Sequence, residues 1–250
     1  MAKQAKKTGS RKTTKARAKT PAARRYWPGR RQALRWAGRG LAGAVSLFAV
    51  LVLAYTVINP PVTAYMLAES FRHGGVKHDW VDMEEMSPEV PRAVVAAEDA
   101  NFCLHWGFDM TAIREAIDQG GTRGASTLTQ QTVKNVFLWQ GRSWPRKALE
   151  ALMTPVIELV WTKRRTLEIY LNVAEFGKGV FGIEAAAQHY FGVSAKELSG
   201  ARAALLAAAL PDPKGRNPAR PSGFLRKRAR QIAEGAATID ADGRAACFQG

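Results

Sequence analysis

The stretch AVVAAEDANFCLHWGFD, residues 93–109, decides how the rest of this chain is read. Its small apolar residues predict a helix that delivers two adjacent carboxylates, Glu98 and Asp99, ahead of aromatics, His105 and Gly107. Val94, Val95 and Glu98 fall at i, i+1 and i+4. Glu98 therefore sits beside the buried stripe, whereas Asp99 is rotated by about 100°. Ionised groups are costly beside an apolar face, so Glu98 is the better candidate for a raised pKa and a general-base role. A solvated helix end is the alternative for the pair taken alone.

At 250 residues the chain can hold one substantial domain with appendages. The formal charge of +16 is uneven, because residues 1–39 hold fourteen Lys or Arg and no acid, leaving 23 basic against 21 acidic residues elsewhere. This excess says little about the ligand of the remaining chain. A basic tail suits nucleic acid, but its position immediately before a hydrophobic run favours a membrane role, and no nucleic-acid partner is expected. The run Leu41–Ile58 has no charged side chain and predicts a transmembrane helix over 40–59. It is long for a cleaved signal peptide, the rival reading with Val62-Thr63-Ala64 as cleavage site. The positive-inside rule leaves a disordered tail, 1–39, in the cytoplasm and everything beyond about residue 60 on the far side.

After Asn59-Pro60-Pro61 stops that helix, residues 60–86 read as a juxtamembrane connection, with Met66, Leu67 and Phe71 near the bilayer. The domain, 87–240, reads as helix after helix. One starts between Ser87 and Pro91 with Ser as its cap. Gly120, Gly121 and Gly124 mark a flexible link, and Ser126 is placed to cap a helix to about Leu138. Ser126, Thr127, Gln130, Gln131, Lys134 and Asn135 form two i, i+4 rows of hydrogen-bonding groups on this helix, a surface suited to a polar ligand rather than plain solvation. A helical pattern from Arg146 to about Tyr170 is kinked or divided at Pro155, and Arg146 can pair with Glu150 one turn away. Ser194 and Glu197 form a capping box before an Ala-rich helix that Pro211 ends, and a basic amphipathic helix spans roughly 224–236.

Two motif matches lead nowhere. Gly177, Gly179 and Gly182 satisfy G-x-G-x-x-G without a preceding strand pattern, so a dinucleotide site is not expected. The four histidines lack metal-ligand spacing, and Cys103 and Cys247 do not complete a zinc set. An oxidising compartment would permit one disulfide between those cysteines.

Five ordered blocks, AEDANFCLHWGFD (97–109), GASTLTQQTVKN (124–135), RKALE (146–150), KRRTLEIYLN (163–172) and GIEAAAQHYFG (182–192), resemble the motifs of the peptidoglycan glycosyltransferases, which polymerise lipid II. The resemblance covers roughly residues 88–215 and favours the monofunctional, membrane-anchored form. No S-x-x-K is present and few residues follow 215, so the transpeptidase domain of penicillin-binding relatives is not expected. Thr166, where Ile is usual, and Leu128 are mild departures.

The resemblance implies a mainly α, lysozyme-like fold, two-lobed around a cleft, behind an N-terminal transmembrane helix in a bacterial inner membrane. It implies a donor linked to undecaprenyl pyrophosphate, lipid II as acceptor, and a new β-1,4 bond formed with inversion. Glu98 then corresponds to the base that takes a proton from the acceptor 4-hydroxyl, with Asp99 supporting it, and Glu150 to a second carboxylate that binds and positions. Pyrophosphate leaves as a stable anion and needs cations rather than an acid, and Lys134, Arg142, Arg146 and Lys163 are available. Ser126, Thr127, Gln130, Gln131 and Asn135 would line the donor side, under a flap at 120–124. No cofactor is demanded, although a divalent cation, Mg or Mn, at the pyrophosphate is compatible. Lipid II, the nascent lipid-linked glycan, the membrane and proteins of wall synthesis or division are the expected partners. A lytic muramidase-type enzyme and a non-catalytic membrane-anchored glycan-binding protein are the rival readings.

Overall fold

The computed structural model describes residues 29–120, 124–141 and 143–249. The chain divides into two compact units, 1–47 and 48–250, of which the first contributes only the exposed start of a helix to the described residues. That helix, α1, runs from Arg30 to Ala54 and is long and apolar enough to cross a membrane. Its limits differ from 40–59 at both ends. The cationic residues Arg30, Arg31, Arg35 and Arg39 are already helical. At the other end Arg165 captures the backbone, donating to the carbonyls of Tyr55 at 2.8 Å and Ile58 at 2.9 Å and to Asn59 Oδ1 at 2.9 Å. Those carbonyls bond a guanidinium in place of further helical N–H groups.

Residues 60–86 belong to the fold rather than leading into it. Thr63 caps α2, Ala64–His73, whose Met66 enters a hydrophobic cluster and whose Glu69 is fully buried against Lys214, Arg72 and His73. Leu67 and Phe71 stay exposed. The short strand β1, Lys77–His78, pairs in parallel with β3, Val180–Phe181, which pairs antiparallel with β2, Glu175–Gly177. Strands of two or three residues carry no readable period, so the otherwise helical expectation missed this sheet. The discarded glycine motif is its hairpin. Gly182 sits at φ +82°, and a Cβ there would stand 2.9 Å from the Asn172 carbonyl oxygen.

Helices α3, Glu89–Glu98, α9, Gly200–Ala209, and α10, Gly223–Ala241, pack on one another. Ala203, Ala204, Ala207 and Ala208 supply the small side chains that let these axes approach. Ser87 makes no side-chain cap on α3, because Pro88 already adopts helical angles and is itself the N-cap. The Ser194–Glu197 box closes a 3-10 turn, and α9 proper begins at Gly200. Pro155 stays inside α6, Trp144–Val160; the break comes at Thr162, whose hydroxyl caps α7, Lys163–Val173. From Thr166 to Val173 every residue of α7 is buried. Leu167, Tyr170 and Leu171 face one hydrophobic cluster, with Val94, Phe102 and Leu128, and Ile169 and Val173 face the other, which Met66 enters, with Val133, Ile157 and Phe181. Asn172 in this helix spans to Val81, accepting from its N–H and donating to its carbonyl, both at 2.9 Å. Two further helices, α4, Met110–Asp118, and α8, Ile183–Phe191, complete the scaffold around α5, Leu128–Phe137.

The end of α1 is part of this packing: Val52 is buried and its carbonyl accepts from Trp161 Nε1 at 2.7 Å, while Phe48 stacks edge-on with Phe137 at 5.1 Å. A chain lacking residues 1–60 should therefore be less stable than one lacking only 1–47. Losing one buried Val and stranding the Trp161 N–H should together cost about 3 kcal/mol. Thermal unfolding of the two truncations in one detergent measures the difference; equal melting temperatures would contradict the assignment.

Candidate functional site

Helix α3 ends on Glu98, and the chain turns out of helical geometry at Asp99. Asp99 is buried and does not stand free in the cleft. Its Oδ1 lies 2.8 Å from His105 Nε2, and its Oδ2 accepts from the N–H of Leu128, the first residue of α5, at 2.9 Å. A carboxylate is favoured there by the orphan amides and dipole of the helix N-terminus. It fastens the end of one site helix to the start of the other.

That junction fixes Gln131 opposite Glu98. The Gln131 Nε2 donates to Glu98 Oε2 at 2.9 Å, and Gln131 Oε1 accepts from the buried Tyr170 hydroxyl at 3.2 Å, which settles the direction of the amide. Burial pushes the Glu98 carboxyl above the usual carboxylate range, opposed by the Gln131 hydrogen bond and by the charges of Arg228 and Lys134, and assisted by the neighbouring Asp99. Glu98 thus keeps a hydrogen-bonded orientation together with a higher proton affinity, the two properties required of a base.

Thr127, not Ser126, caps α5. Thr127 accepts from the Gln130 N–H while the Gln130 side chain accepts from the Thr127 N–H, a reciprocal box that Ser126 cannot make because Thr129 stands three residues after it. The Gln130 side chain is consumed by this box. The Thr127 hydroxyl also donates to the Gly107 carbonyl at 2.7 Å. Ser126 is left to accept from Lys147 Nζ at 2.9 Å. Lys147 in turn pairs with Glu150, whose other oxygen receives Arg146 at 2.6 Å, and Arg146 also donates to the Gly141 carbonyl. Both oxygens of this buried carboxylate are therefore held by cations.

Glu98, Asp99, Ser126, Thr127, Gln131 and Arg228 line a cavity of about 550 Å³. Gln131, Lys134, Asn135, Tyr65, Glu175 and Lys214 line a second one of about 360 Å³. Gln131 and Pro211 border both, so the two form one trough with Glu98 on one side of Gln131 and Lys134 on the other. Burial lowers the proton affinity of Lys134, partly offset by the charges of Glu150 and Glu98. Among the described residues no carboxylate lies within ion-pair distance of the Lys134 ammonium. Its charge faces the trough.

Lys163 is not in the trough. Its ammonium donates to the His105 carbonyl at 2.8 Å, pairs with Glu158 at 2.9 Å and sits 4.5 Å from the Phe102 ring centre, a strut beneath the loop that follows Glu98. Helix α7 starts under that loop, which is what turns Lys163 inward. Arg142 and residues 121–123 of the expected flap lie outside the described residues, while Gly124 lines the larger cavity. Among the described residues no cluster of three His, Cys, Asp or Glu is arranged to hold a metal ion.

Three contributors escaped the sequence reading. Lys147 precedes Glu150 by three residues and was legible as a second helical partner; His105 lay within the opening stretch but had no readable partner. Arg228 reaches the cavity from α10 and donates to the Ala97 carbonyl at 3.2 Å, with no local signal.

A family model described as Transglycosylase matches residues 66–237. The chain is 61% identical over 214 residues to the biosynthetic peptidoglycan transglycosylase of Jannaschia sp., covering 86% of this chain and 90% of that one. It is 46% identical over 202 residues to the protein of the same name from Caulobacter vibrioides (79% and 88% covered) and 47% over 209 residues to that of Yersinia pestis (79% and 87%). The start of the match at residue 66 agrees with the burial of α2 in the fold. With most of its length matched and the site helices inside the matched span, the chain belongs to the transglycosylase family.

Proposed function

We propose that this protein is a peptidoglycan glycosyltransferase that polymerises lipid II into β-1,4-linked glycan strands. The observation that carries the reading is the placement, on either side of Gln131, of a carboxylate with raised proton affinity and an ammonium that has no carboxylate partner among the described residues. In the proposed reaction Glu98 removes the proton of the acceptor 4-hydroxyl, and that oxygen bonds to the donor anomeric carbon from the face opposite the leaving group. The C–O bond to the lipid pyrophosphate breaks with its electron pair, and the configuration inverts. Lys134 offsets the charge that accumulates on the phosphate, with Arg146 and Lys147 behind it. Ser126 and Asn135 supply polar contacts along the trough, and Asp99 acts by holding the two helices together. Arg228 adds a cation on the acceptor side.

Glu150 positions cations. Glycosidases need a carboxylic acid to protonate a sugar oxygen, and Glu150 presents neither oxygen free for that task. This favours synthesis over a lytic reaction. Among the described residues no group of three His, Cys, Asp or Glu is arranged to hold Mg or Mn, so a divalent cation bound at the pyrophosphate would be held chiefly by phosphate oxygens.

Membrane anchorage by α1, with residues 1–39 cytoplasmic and the domain beyond the bacterial inner membrane, is supported by the charge distribution and by the Cys103–Cys247 disulfide, a bond favoured in an oxidising compartment. Trp106, Trp139, Trp144, Leu152 and Leu159 are exposed apolar groups suited to lying against the bilayer that carries both lipid-linked substrates.

Replacing Glu98 by Gln should lower lipid II polymerisation by at least about a hundredfold while leaving lipid II binding intact. Because burial raises the folded-state proton affinity, the Glu98 contribution to stability is present below the unfolded pKa and lost as pH rises through the folded one. E98Q should therefore melt no lower than wild type at neutral pH, with the difference shrinking on acidification. Glycan chains made by E98Q at the wild-type rate would overturn the base assignment. In the wild type the acidic limb of kcat should lie above the ordinary Glu range, and a limb near pH 4.5 would contradict the burial argument. Lys134→Ala should lose about 10- to 100-fold in kcat/KM, as expected for a charge-assisted phosphate contact; an unchanged value would remove Lys134 from the site.

A further inference from the structure

We infer that the C-terminal turn, residues 242–249, is a positioning element of the active site, held in place by the Cys103–Cys247 disulfide. This turn lies beyond residue 237, where the family match ends. Its contacts reach the loop that follows Glu98 and the elements beside it. Cys247 is bonded to Cys103, four residues after Asp99, and Arg244 donates to the Ala100 carbonyl at 3.1 Å. Phe248 is buried with its ring 6.5 Å from that of Phe102, and its carbonyl accepts from Arg164 of α7 at 3.0 Å. Gln249 reaches the Pro88 carbonyl, just before α3, at 2.8 Å.

The loop so gripped carries His105, which holds Asp99, and Asp99 in turn holds the start of α5 and hence Gln131 against Glu98. Lys163 supports the same loop at the His105 carbonyl. The loop residues 100–106 are turns and bends with little regular backbone pairing of their own, so its shape depends on such external fastenings. A covalent link at Cys103 adds a restraint on the loop beyond these hydrogen bonds. Neither cysteine touches substrate, and their effect passes through Asp99 and Gln131 to the orientation of the Glu98 carboxylate.

The test uses the full-length protein in detergent or lipid vesicles. A dithiol such as dithiothreitol attacks one sulfur, the S–S bond breaks, two cysteine thiols form, and the dithiol closes to its own disulfide. Before treatment the unfolded protein should yield no free thiol, and after it two. Reduction should lower kcat for lipid II by about tenfold or more with KM changed less than twofold, because misorientation of a base affects the chemical step rather than binding. Cys103→Ser should match the reduced protein and no longer respond to dithiol, while far-UV circular dichroism stays that of wild type. Hydrogen exchange should quicken over 99–106 and the first turn of α5 before other regions.

Two free thiols in the untreated protein, an unchanged kcat on reduction, or loss of kcat only together with global unfolding would each overturn the inference. The inference rests on the reading of Glu98 as base. The thiol count and exchange pattern do not, so failure of that reading, seen as an active E98Q, is distinguishable from failure of the clasp.

Discussion

The site depends on one buried carboxylate, Asp99, whose proposed part is to position rather than to react. Asp99 receives the Leu128 amide on one oxygen and His105 on the other, so the last turn of α3 and the first turn of α5 have a single relative placement. A charge in that position is tolerable because a helix N-terminus and an imidazole supply what water would have supplied. Everything in the trough follows from this joint. Gln131 meets Glu98 only if α5 starts where Asp99 anchors it, and Thr127 meets Gly107 only if the loop returns to that start. Gly107 is at φ +81°, and a Cβ there would lie 2.7 Å from Thr154 Cγ2, so the return is a glycine-only passage.

Charge pairing sets Lys134 apart from the other cations more sharply than residue type does. Lys163, Arg165 and Lys214 are each satisfied by carboxylates or carbonyls, and each ties one element to another, Arg165 through the carbonyls of Tyr55 and Ile58. Lys134 carries the same ammonium into a half-buried position without a carboxylate, a placement that raises the free energy of the empty site and is repaid when an anion arrives. The same reasoning applies to Glu98, whose burial destabilises its ionised form in the absence of substrate. Glu98 and Lys134, neither in an ion pair among the described residues and set on either side of the neutral Gln131, suit the proposed reaction, in which a proton leaves one oxygen and charge builds on another.

Periodicity and capping rules made the helical class and most helix positions legible, and where they failed they were misapplied rather than absent. The box S/T-x-x-Q fits Thr127 and Gln130, one residue beyond the Ser126 cap that local composition suggested. Pro155 stayed inside α6 because a Thr cap at 162 offered a better break. Other features had no local signal at all. Burial of Glu69 in α2 requires Lys214, and the approach of Arg228 to Glu98 requires α10 to fold across α3. The inward turn of Lys163 was unreadable for the same reason: a Lys in a helical first turn resembles a surface cation until the loop above it is placed.

The second carboxylate best distinguishes this site from that of an enzyme that cuts glycans. Glu150 lies one helical turn from Arg146 and is buried, and in isolation that arrangement resembles half of a glycosidase pair. Its two oxygens are occupied by Arg146 and Lys147, and Lys147 extends the network to Ser126 at the edge of the trough. A buried carboxylate flanked by two cations carries a net positive local charge, so the assembly attracts an anion instead of donating a proton. Departure of pyrophosphate needs that attraction, whereas departure of a sugar alkoxide needs the proton. Under the proposed reaction the same carboxylate position supports synthesis when its neighbours are basic, and residues 146 and 147 then bear on the direction of the reaction alongside Glu150.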